Sequence, residues 1–149
     1  MARALDWIEI GDLFGIQKWP LVFSYSDTRY PGEQQMTFYS SGDLTFMNEK
    51  GRVSGRHAKW AILFVDSCQF RIEVRQFHCT GNWGVEQGYA QSLDFNCFLK
   101  PTEGGAVLEC AAQGQYADRV SMVTHLSGQS LNRAAHYPPP PPKKFRSNN

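Results

Sequence analysis

Three stretches of the chain alternate apolar and polar residues with a period of two. Phe70/Ile72/Val74, Tyr89/Leu93/Phe95/Cys97 and Ala106/Leu108/Cys110/Ala112 each share one face of a strand. The opposite faces carry Arg71/Glu73/Arg75, Ser92/Asp94/Asn96 and Glu109. With neighbouring runs rich in Phe, Val, Tyr and Thr, the pattern predicts about eight strands, at 21–25, 35–40, 43–48, 59–65, 68–77, 88–98, 105–112 and 116–126. Gly-bearing turns at 40–43, 48–51, 80–84 and 101–105 separate several of them. Connections this short make hairpins and leave no room for the helical crossovers of a parallel sheet. Residues 1–19 read as one or two short helices. Leu5, Ile8, Leu13, Phe14 and Ile16 form the apolar stripe, Gly11 and Gly15 interrupt it, and Asp12 is available as an N-cap.

A meander of about eight strands must close or hide its edges. The fold class expected is therefore mainly β: an antiparallel up-and-down barrel, lipocalin- or calycin-like in architecture, with a short N-terminal helical segment. The α+β cone of nuclear-transport-factor-2-like domains is the alternative, and it asks for more helix before the sheet than residues 1–19 provide. Residues 1–136 form the single expected domain, with its strands in 20–126. Residues 137–149, YPPPPPKKFRSNN, form a proline-rich tail outside the core, biased to polyproline II.

Composition narrows the function classes. Hydrophobic residues make up 42% and charged residues 19% of 149, too apolar for a disordered chain and sized for one core. The net charge is +1, and Lys143, Lys144 and Arg146 lie in the tail, so the body is slightly acidic and lacks the basic footprint of a nucleic-acid binder. No apolar run approaches the roughly 20 residues that span a bilayer, and Asp6, Glu9 and Asp12 break any signal-peptide core. A cytoplasmic protein without a membrane partner is expected, with Cys68, Cys79, Cys97 and Cys110 as reduced, mostly buried thiols. No C-x-x-C or H-E-x-x-H occurs, and the histidines are scattered at 57, 78, 125 and 136, so no metal and no cofactor is expected.

The row Arg71, Glu73, Arg75 repeats at roughly 7 Å along one strand face, which either meets water or lines a cavity. In a lumen it would orient an anionic or enolic group. Glu109, in the apolar setting AVLECAA, and His78 are the further proton-transfer candidates, giving Glu73, Glu109 and His78 as the catalytic set. Arg71, Arg75, Tyr39, Trp60, Tyr89 and Phe95 are the substrate-binding set. The charged and apolar rows have opposite parity, and both cannot line one lumen. The leading expectation is a barrel that binds an apolar or aromatic small molecule, as a cofactor-free cyclase, isomerase or lyase. The alternative is an interaction or structural module acting through its surface and tail, with a homodimer mate or a tail-binding protein as partner.

Overall fold

The computed structural model describes residues 3–16, 18–51, 53–54, 58–77 and 91–136. The chain opens with a short strand, β1 (Arg3–Leu5), and one helix, α1 (Trp7–Phe14). Asp6 caps the helix: its carboxylate accepts from Glu9 N at 2.8 Å, while Glu9 Oε1 accepts from Asp6 N at 3.0 Å. Gly15 ends the helix in the left-handed conformation, φ 71°. These signals correct two expectations, since residues 3–5 are strand and Asp12 lies inside the helix. Ile10, Leu13 and Phe14 form the buried stripe.

The strands that follow are β2 (Leu21–Asp27), β3 (Gln34–Phe38), β4 (Leu44–Met47), β5 (Val53–Ser54), β6 (Lys59–Asp66), β7 (Gln69–Phe77), β8 (Gln91–Thr102), β9 (Gly105–Ala112) and β10 (Val120–Leu126). A 3-10 turn occupies Gly114–Tyr116, so the strand expected from residue 116 begins only at Val120, and a second helix, α2 (Gln129–Ala135), follows β10 without having been anticipated. Every pairing is antiparallel, in the order β1-β6-β7-β8-β9-β10-β2-β3-β4-β5. β8 runs further than its sequence implied, through Pro101. That residue lies beyond the last β7 partner (Gln69↔Phe98), so its missing N–H leaves no neighbour unpaired.

The sheet curls until its flanks meet at one corner. Asp43 and Lys59 form an isolated antiparallel bridge, Leu44 N donates to Ala58 O at 3.3 Å, and Trp60 N donates to Gly42 O at 3.0 Å. The Asp43 carboxylate accepts from Lys59 Nζ, and Trp60 stacks between Phe38 and Trp19, with ring centroids 5.1 and 5.8 Å away. A mainly β, barrel-like class is thus the observed architecture, with two short helices among the described residues.

The alternation read from sequence sets the inside. Phe23, Met36, Phe38, Leu44, Ile62, Phe70, Ile72 and Phe95 are all fully buried. Phe14 of α1 meets Phe70 edge-on at 5.2 Å, so the helix closes one end of this core. α2 packs against α1 and satisfies carbonyls at its C-terminal end: Ser130 Oγ donates to Phe14 O at 3.2 Å and Arg133 Nη1 to Asp12 O at 3.3 Å. Among the described residues, no helix is long and apolar enough to cross a membrane. The tail 137–149 lies outside the described residues.

Candidate functional site

The charged row belongs to the outer face. On β7, Arg71, Glu73 and Arg75 have side chains 45%, 28% and 43% exposed, while Phe70, Ile72 and Val74 between them are buried. Glu73 sits 3.5 Å from Arg71 and 3.7 Å from Arg75, and Arg75 Nη1 donates to Asp94 Oδ1 at 2.8 Å. The row is a solvent-facing ion-pair ladder. Glu109 also points outward, its carboxylate accepting from Lys100 Nζ at 2.7 Å.

The substrate-binding set separates likewise. Phe95 is fully buried on the inner face. Tyr39 is exposed just after β3, and its carbonyl accepts from Trp60 Nε1 at 2.9 Å. Tyr39 and Trp60 meet at the corner where the sheet closes, and Trp60, the β6 partner of Val74, brings that corner beside the Arg75 end of β7. His78 and Tyr89 lie outside the described residues, as do Arg52, Arg56 and His57. Among the described residues no cluster of three or more His, Cys, Asp or Glu is placed to hold a metal.

Polar side chains buried at the end of the interior opposite α1 are committed to turns. Asp27 Oδ1 accepts from Arg29 N, Asn48 Oδ1 from Lys50 N, and Gln34 Nε2 donates to Tyr30 O, each at 2.9 Å. Arg119 approaches Asp27 at 3.5 Å and covers the Tyr116 ring at 4.9 Å. Among exposed groups, the Tyr30 hydroxyl raises the Arg29 guanidinium further above its usual value, and the Lys59 hydrogen bond, followed by Ser41, lowers the Asp43 carboxyl.

Two concavities stand out among the described residues. One, 650 Å³, lies between the helices and is lined by Gly11, Asp12, Gly15, Ser127, Gln129 and Arg133. Arg133 spans it, held by Asp12 O and by Gln129 Oε1 at 2.8 Å. A Cβ on Gly15 would stand 2.9 Å from Arg133 Nη1, so the glycine admits this cap. The cleft is part of the helix–helix joint.

The other, 460 Å³, is a trough on the outer face across β8, β9, β10 and β2. Register builds it from two neighbouring transverse rows. Phe98, Glu109, Val123 and Ser24 are successive cross-strand partners, and so are Asn96, Ala111, Ser121 and Ser26. Ala111, Ser121, Ser24 and Ser26 are short enough to leave a hollow, while Phe98 and the Lys100–Glu109 pair stand as its wall. Phe98 is 42% exposed, and Val22 beside the trough is 41% exposed. Asn96 is the partner of Arg71, so the ion-pair ladder forms the adjoining rim.

Sequence reasoning missed this trough because its floor comes from three separate segments joined only by register. One signal was readable: Phe98 has the parity of Ser92, Asp94 and Asn96, an aromatic ring placed on the polar face. No protein-family model, curated protein or solved structure matches the chain.

Proposed function

We propose that this protein is a binding module. Strands β2, β3, β4, β6, β7, β8, β9 and β10 form an eight-stranded up-and-down barrel that serves as a rigid scaffold, and the outer trough is its working surface. The occupant is an extended polypeptide segment. The observation that carries this reading is the division of large side chains on β8: Phe95 is fully buried on the inner face, while Phe98, three residues on, is 42% exposed above a floor of small residues. Exposed apolar groups ringed by charge mark protein-binding surfaces. Three strand spacings give the trough a length of about 14 Å, which takes roughly four residues of extended chain. Its serine hydroxyls and the Asn96 amide are suited to peptide backbone groups, and Phe98 offers an apolar anchor.

This reading takes up the surface-interaction alternative and moves Glu73 and Glu109 from proton transfer, and Arg71 and Arg75 from substrate orientation in a lumen, to the rim. The test is selection of displayed heptapeptides against the wild-type protein, followed by affinity measurement on Phe98→Ala. The reading expects a peptide whose binding weakens tenfold or more in the variant. Equal binding by both proteins would contradict it, as would a small molecule that co-purifies and is retained by Phe98→Ala but not by an interior variant.

A further inference from the structure

Cys97 on β8 and Cys110 on β9 are direct cross-strand partners, and both side chains point into the core, 0% and 2% exposed. The phase of the ladder follows from the hairpin turn. Thr102 and Gly105 flank the two-residue loop Glu103-Gly104 and therefore form a hydrogen-bonded pair, from which the two kinds of pair alternate. Pro101↔Ala106, Leu99↔Leu108 and Cys97↔Cys110 fall on the non-hydrogen-bonded positions. Two observations agree with that phase: Pro101 has no N–H to give, and Gln113 N donates to Asp94 O at 2.8 Å in the alternate row. At non-hydrogen-bonded positions the Cα atoms lie about 4.5 Å apart and the side chains are closest, inside the roughly 4.4–6.8 Å range that a disulfide spans.

We propose that Cys97 and Cys110 form a disulfide across β8 and β9 when the chain meets a small-molecule disulfide such as oxidised glutathione. One cysteine thiolate attacks the glutathione disulfide, releasing one glutathione and leaving a mixed disulfide. The second thiolate then attacks the protein sulfur and releases the other glutathione. One protein S–S bond forms and one glutathione S–S bond breaks, two electrons pass from the cysteines to the glutathione pair, and the two thiol protons end on the released glutathiones.

Burial, with the Cys97 sulfur alongside, pushes the Cys110 thiol well up. Thiolate is therefore scarce in the closed sheet, and exchange runs fastest while β8 and β9 are separated, during folding or local opening. Both thiols lie on the inner face and need no partner protein, so the disulfide does not rest on the trough reading.

The test uses the full chain carrying Cys68→Ser and Cys79→Ser, unfolded, reduced and refolded with glutathione disulfide. Non-reducing peptide mapping should find Cys97 linked to Cys110, with the protein two hydrogens lighter. The melting temperature should rise by roughly 5–10 °C and fall back on adding dithiothreitol. A refolded protein whose two cysteines stay reduced, or carry separate glutathiones, would overturn the proposal. If the double variant does not fold, the same mapping on the wild-type chain decides, and links from Cys97 or Cys110 to Cys68 or Cys79 would count against it.

Discussion

Phe95 and Phe98 stand on one strand with opposite fates. Phe95 is packed in a core of rings and branched aliphatics, and Phe98 is open to solvent over serines and an alanine. The same residue type thus reports two different pressures. Inside, volume must be filled at crystal-like density; outside, an aromatic ring is left partly open to water at the edge of a hollow. On the proposed reading the inner face of β8 and β9 serves stability and the outer face recognition, and the inner one also carries the cysteine pair.

The sharpest way to break this comparison is to truncate each ring in turn. Phe95→Ala should cost about 3–5 kcal/mol and lower the melting temperature by roughly 6–20 °C, whereas Phe98→Ala should stay within about 0.5 kcal/mol of wild type. Chemical denaturation of both variants checks this, and similar losses at the two sites would erase the distinction. Next in size is the capping box. Asp6→Ala removes the acceptor for Glu9 N and should cost about 1 kcal/mol, read by the same denaturation curves.

Filling the trough acts on binding alone. Ser121→Arg should leave the unfolding free energy within about 0.5 kcal/mol of wild type while weakening a trough-bound peptide tenfold or more. Glu109→Gln should move stability by no more than a few tenths of a kcal/mol, because its pair with Lys100 is solvated on both sides.

The smallest effect concerns the closing corner. The Asp43 carboxyl is lowered, first by the Lys59 hydrogen bond and then by Ser41. A carboxyl whose folded-state value lies below its unfolded one stabilises the fold above the unfolded value, near 3.9, and loses that contribution as pH falls through the folded value. Melting curves of wild type and Asp43→Asn should therefore differ slightly at neutral pH and converge below about pH 4. The gap should also shrink with added salt, since this pair is exposed.

The sequence carried its inner face openly, because period-2 alternation is local and each strand declares its own parity. Ala106, Leu108, Cys110 and Ala112 were placed from eight consecutive residues. The turn at Glu103-Gly104 and the strand Gly105–Ala112 were legible for the same reason. β1 was not, because three residues beside a helix carry no period of their own, and only the pairing of Ala4 with Leu63 makes them strand. The closing corner depends on residues 43 and 59 meeting across an intervening hairpin, and the trough on register across four strands. Neither is encoded within any one window of residues. The outward aim of Glu109 was readable from parity, whereas its pairing with Lys100 required knowing that β8 continues through Pro101.

The central claim is tested most directly by a ¹H–¹⁵N chemical-shift map of the protein with a peptide selected on the wild-type surface. The account predicts shifts at Asn96, Phe98, Glu109, Ala111, Ser121 and Ser24, with inner-face neighbours such as Phe95 and Leu108 little changed. Shifts concentrated at Phe95, Leu108 and Met36 would place the ligand inside the barrel and contradict the account.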